Sequence, residues 1–163
     1  MKIFGFILNF VICGTLVAGT GSTILKKQTD LDYEKCINEI YFKTDKFYEV
    51  VDTSVNTRKI VNDNKNELIL SNTNSAGQSR FHASETRNVT KEKAIFKLEM
   101  TKPISGNLKS QRTIVEIKNV NGRAEITIKM EANVDHFFAT ERMVSKELEK
   151  NAEKVLSKFQ EIK

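Results

Sequence analysis

Apolar and polar residues alternate along this chain at two different periods, and the change of period marks out its elements. Between residues 29 and 41 the apolar side chains Tyr33, Cys36, Ile37, Ile40 and Tyr41 recur three and four positions apart. That spacing predicts a helix with one buried stripe and with Glu34, Lys35, Asn38 and Glu39 on its far face. Thr29 or Asp30 is placed to cap it, and Asp32 puts a carboxylate in the first turn. A short strand over 22–28 precedes it, and Phe47, Tyr48 and Val51 predict a second short helix over 45–51. From Ser54 the period falls to two and turn residues arrive at regular intervals. Strands are predicted over 55–61, 68–72, 81–89, 94–100, 108–118 and 123–134, with a break at 103–107 and a hairpin turn at Asn121-Gly122. In the last of these, Ala124, Ile126, Ile128, Met130, Ala132 and Val134 share one face, and Glu125, Thr127, Lys129, Glu131 and Asn133 the other. One face meets a core and the other meets water.

The partner for that apolar face is in the chain itself. Residues 140–161 predict a helix of ~33 Å at ~1.5 Å per residue, with Val144, Leu148, Ala152, Val155, Phe159 and Ile162 in one stripe that Met143 and Leu156 widen. Glu141 near its start and Lys158 near its end match the helix dipole. The class is therefore α+β: a seven-stranded antiparallel sheet wrapped around a long C-terminal helix.

This order of elements resembles the helix-grip fold of the START/Bet v 1-like (SRPBCC) superfamily, which includes polyketide cyclase-like and lipid-transfer proteins. The likeness spans residues 22–163 and is carried by STILKKQTDLDYEKCINEI, a strand entering a helix, and by ERMVSKELEKNAEKVLSKFQEI, which is similar to the family's terminal helix. The resemblance implies a cavity between sheet and helix that takes an apolar small molecule or a lipid. Its expected lining is Phe81, Phe96, Leu98, Met100, Ile114, Ile126, Ile128, Met130, Val144, Leu148 and Val155, with His136 at the mouth. Plain core packing of the same side chains is the competing expectation.

Composition adds one anomaly to this picture. The 163 residues are 39% hydrophobic and 29% charged, proportions of one compact domain. Ile3 to Leu25, however, carries no charge. One basic residue, an apolar run and then small residues give the layout of a secretory signal peptide, with cleavage after Ala18, Gly19 or Gly21. Residues 1–21 then form a signal peptide or a membrane anchor, and 22–163 a single helix-grip domain. The expected location is secreted or periplasmic. The alternative is an N-terminal membrane anchor, with membrane contact through residues 3–25, because a span of ~30 Å needs ~20 apolar residues. Without the leader Cys36 stands alone, so no disulfide holds the body together.

Candidate chemistry narrows the function classes. The two histidines, His82 and His136, have no Cys or second His at ligand spacing, so no metal site is expected. Gly19-Thr20-Gly21 lacks the rest of a phosphate-loop pattern, and no cofactor is called for. Removing residues 1–21 leaves 25 Lys and Arg against 21 Asp and Glu. Arg80, Arg87, Lys91, Lys93 and Lys97 are interleaved with Glu85, Glu92 and Glu99, a mixed-charge face and not a nucleic-acid track. No catalytic residue is assigned, and nothing in the pattern sets the oligomeric state. The function expected is an exported or membrane-associated binding protein for a hydrophobic ligand or lipid. The alternatives are a structural or interaction domain without a ligand, or a cyclase- or hydratase-like enzyme built around His82, His136 or a buried carboxylate.

Overall fold

The computed structural model describes residues 18–38, 43–74, 77–136 and 139–161. Its elements are β1 (Ala18–Asp32), α1 (Tyr33–Cys36), α2 (Asp45–Val50), β2 (Thr53–Asn62), β3 (Lys65–Asn74), β4 (Gly77–Val89), β5 (Lys93–Ser105), β6 (Leu108–Val120), β7 (Arg123–Asp135) and α3 (Glu141–Gln160). The strands make one sheet in the order β1-β7-β6-β5-β4-β3-β2, antiparallel throughout. It is the expected meander, with β1 added beside the last strand. At the β6–β7 turn both Asn121 (φ 55°) and Gly122 (φ 83°) take the positive φ that a two-residue hairpin demands.

Three local expectations change. The first helix does not start at Thr29 or Asp30. Instead, β1 continues through Asp32 after a bulge, because the Thr29 hydroxyl donates to the Ala124 carbonyl (2.7 Å) and Arg123 reaches the Asp30 carbonyl. Asp32 is the cap, accepting from the Lys35 N–H at 2.9 Å. Tyr33, Cys36 and Ile37 are buried as the stripe predicts, whereas Ile40 and Tyr41 lie outside the described residues. Second, β5 does not break at Pro103 but runs through it to Ser105. Its pairing with β6 ends at Glu99–Arg112, so Pro103 has only β4 beside it and its missing N–H leaves no bond unmade toward β6. Third, β1 begins at Ala18, so residues 18–21 extend the expected strand and pair with Ala132 to Asp135 of β7.

Those first residues also seat the terminal helix. Thr140 caps α3 through the Met143 N–H, and Val144, Leu148, Ala152, Val155, Leu156 and Phe159 are buried along it. Burial of each large apolar side chain is worth ~1.5–3 kcal/mol. The helix packs on β1, β7 and α2. Its approach to β1 is backbone to backbone. A Cβ on Gly19 would stand 2.8 Å from the Ala139 carbonyl oxygen, and one on Gly21 2.6 Å from the Ser145 nitrogen. The Ser22 N–H donates to Ser145 Oγ at 3.3 Å across the same contact.

Gly21→Val should therefore force α3 away from β1 and cost ~1–3 kcal/mol of unfolding free energy. Ser22→Thr, on the exposed face of the same strand, should stay within ~0.5 kcal/mol. Denaturant unfolding followed by circular dichroism checks both.

Candidate functional site

The helix seat is off-centre on the sheet, and a cavity of about 300 Å³ lies beside it. Strands β4 to β7 supply one wall. Side chains of α3 supply another, and α2 contributes Phe47 and Tyr48. The rings of Phe47 and Phe96 stack at 5.9 Å, Phe47 meets Phe159 at 5.2 Å, and Tyr48 meets Phe96 edge-on at 6.4 Å. These contacts fix an aromatic wall in place.

Of the residues expected from the sequence, Phe81, Phe96, Leu98, Met130, His136, Val144, Leu148 and Val155 line this cavity. Ile126 and Ile128 are fully buried in the core without bordering it, and Met100 is half-buried at the core margin. Ile114 points to the opposite face of β6, because Thr113, Val115 and Ile117 take the inward positions of that strand. His82 lies on the exposed face of β4.

Several lining residues were not legible as such. Gln111 and Thr113 are polar side chains at the inward positions of β6, four and two residues before Val115. Their parity was the available signal. Thr53 and Asn72 come from β2 and β3, where the Asn72 side-chain amide donates to Thr53 Oγ1 (2.8 Å) and to the Val51 carbonyl (3.0 Å). Met143, Glu147 and Asn151 follow one another at four-residue spacing on α3, along the edge of its buried stripe. Among the described lining residues the titratable side chains are Tyr48, His136 and Glu147, with no lysine or arginine.

No family model matches this sequence, and no curated protein matches it. Solved structures do match. The di-domain ARO/CYC StfQ of the steffimycin biosynthetic pathway aligns with a TM-score of 0.64 at 8% identity over 88% of this chain, which spans 50% of that protein. A START superfamily protein from Mycobacterium smegmatis aligns with a TM-score of 0.57 at 12% identity, over 86% of this chain and 94% of the other. The Zhui aromatase/cyclase from a Streptomyces aligns with a TM-score of 0.57 at 6% identity, over the same shares. The chain has the START-like helix-grip fold. At these identities the likeness is one of fold alone.

Within this START-like domain one buried polar cluster ties α2 to the sheet. Glu85 sits at an inward position of β4 and is fully buried. Its carboxylate accepts from the Tyr48 hydroxyl, from the Asn66 side-chain amide (2.7 Å) and from Arg87 (2.5 Å), and Arg87 also donates to Thr44 Oγ1 (3.1 Å). A buried carboxylate is tolerated only with such a set of partners. Glu85 does not border the cavity, and its partners read as structural. Burial, followed by the neighbouring Glu85 charge, pushes the Tyr48 hydroxyl well above the ordinary tyrosine range. Burial likewise pushes the Cys36 thiol up to about 11, which keeps it protonated and unreactive at neutral pH. Among the described residues, no group of three His, Cys, Asp or Glu side chains could hold a metal ion.

Tyr48→Phe removes one donor from a buried carboxylate and should cost ~1–3 kcal/mol of stability. The pH dependence has a definite sign. A hydroxyl whose folded value lies above its unfolded value of ~10 contributes stability that is complete below ~pH 10 and declines as the pH rises further. Urea unfolding across the alkaline range should show this decline in the parent and a shallower one in Tyr48→Phe.

Proposed function

We propose that this chain binds a small, uncharged, largely apolar molecule in the cavity between α3 and the sheet. The observation that carries the reading is the lining itself: aromatic and aliphatic walls, the neutral hydrogen-bonding groups Thr53, Asn72, Gln111, Thr113 and Asn151, and no cation among the described lining residues. A carboxylate or phosphate entering this space would lose its hydration without gaining a counter-charge, and Glu147 would repel it. The volume of about 300 Å³ lies at the lower end of the ~300–1,000 Å³ typical of small-molecule sites. It suits a single ring system or a short chain, and a two-chain lipid is too large for it. Binding without turnover is favoured because the Tyr48 hydroxyl, the one buried acid on the wall, is already committed to Glu85. The uncharged run ahead of β1 supports an exported setting, secreted or periplasmic, for this binding.

Titration with two fluorescent probes of similar shape tests the reading. The neutral 2-naphthol, a single ring system, should bind one per chain and more tightly than the anionic 2-naphthalenesulfonate. Ala132→Phe, which places a ring inside the cavity, should weaken uptake of the neutral probe by at least about tenfold while the unfolding midpoint is held. Failure of the parent to take up the neutral probe, or equal uptake by Ala132→Phe, contradicts the proposal.

A further inference from the structure

One end of the molecule gathers features that the cavity does not explain. Strands β1, β4 and β6 begin there and β5 and β7 finish there. Ala18 pairs with Asp135, the Asp135 N–H donates to the Asn107 carbonyl (2.7 Å), the Leu108 N–H to Ser79 Oγ (3.3 Å), and Arg80 pairs with Ser105. The residue that leads into the α3 cap joins them through the Gly19–Ala139 approach, and the first turns of α3 through Gly21–Ser145. On this end Met143 is 57% exposed and Ile104 45% exposed. Around them stand the exposed cations Arg80, Lys102, Lys109, Arg142 and Lys146, against the acids Asp135, Glu141 and Glu147, of which Asp135 is paired with Lys109 at 3.1 Å and Glu147 borders the cavity one turn from Met143. Met143 also borders the cavity, together with His136 and Ala139. The uncharged run Ile3 to Val17 enters the fold at this same end, through Ala18.

We infer that this end of the domain docks on an anionic lipid surface, so that the cavity edge at Met143 faces the bilayer. The juxtaposition is of three things that such a surface rewards together: apolar side chains for the interface, cations for the lipid headgroups, and Ala18, the point at which the uncharged run of the sequence joins the fold. Among the described residues no helix is long and apolar enough to cross a membrane. The opposite end is the rival face, since Ile60 (74%), Val61 (45%) and Val89 (42%) are exposed there. It lacks the other two features. Its charges are mixed, with Asp63 and Glu92 beside Lys65 and Lys91, and the apolar run does not enter there. Small residues at 18–21 give the docking end a folded role as well. Gly19 and Gly21 are required by the approach of α3, and a cut after Gly21 would remove four residues of the β1–β7 ladder.

The full chain tests this directly. A Cys13→Ser background leaves Cys36, which is buried and protonated, and a polarity-sensitive fluorophore is then placed on Met143→Cys or on Ile60→Cys. Each labelled protein is mixed with vesicles of phosphatidylcholine alone or of phosphatidylcholine with phosphatidylserine. Docking predicts binding to the phosphatidylserine vesicles that weakens with added salt, a blue shift at position 143 and none at position 60. The pair Arg80→Glu and Lys102→Glu, both exposed, should lower the apparent affinity by about tenfold or more while circular dichroism is unchanged. No binding to phosphatidylserine vesicles, a shift at position 60 in place of 143, or undiminished binding by the charge-reversed pair overturns the inference. Met143 borders the cavity, but vesicle binding, its salt dependence and the effect of the Arg80 and Lys102 reversals do not depend on cavity occupancy, so this inference and the ligand reading stand or fall separately.

Discussion

The close approach of α3 to β1 is the constraint on which the rest of the structure depends. Two glycines, Gly19 and Gly21, let the α3 end of the chain come within van der Waals distance of the first strand. A helix held that tightly against β1 and β7 cannot also sit centrally over β3 to β6. The space it leaves over those strands is the cavity, and the side chains that face it are those of Phe81, Phe96, Leu98 and Thr113. A dense interior and an internal cavity therefore have one origin: packing is completed on one side of the sheet and left open on the other.

The open side is kept from collapsing by α2. Its Phe47 stacks on Phe96 and meets Phe159, its Tyr48 meets Phe96 edge-on, and the Tyr48 hydroxyl is bound to a carboxylate that is itself held by Asn66 and Arg87. This polar anchor has direction where apolar packing has little. It fixes the angle at which the two aromatic rings enter the wall, at the cost of burying a charge.

Much of this was legible from pattern. The period-two strands, the Asn121-Gly122 turn and the stripe of α3 predicted the sheet, the meander of its last six strands and its covering helix, but not the place of β1 beside β7. Glu85 shares an inward parity with Phe81 and Ala83, so a buried carboxylate could be read from alternation. Arg87, two residues on in the same strand, shares that parity, but Tyr48 and Asn66 could not be read, since alternation carries no information about which side chains of other elements meet the strand. The same reason explains the cavity: Ile126 and Ile128 have the same periodicity as Met130, yet only Met130 borders the open space. The run through Pro103 was misread because the turn propensity of proline is local, while its tolerance in β5 depends on where β6 stops pairing. Gly19 and Gly21 have a packing reason to lack side chains, in addition to any part that small residues there play in processing.

The most direct test is methyl nuclear magnetic resonance of the labelled chain as a neutral apolar molecule of single-ring size is added. The account predicts shifts at Leu98, Val115, Val134, Val144, Leu148 and Val155, which line the cavity, and none at the buried Ile126 and Ile128, which do not. Absence of any shift, or shifts at Ile126 and Ile128 equal to those at Leu148, would contradict it.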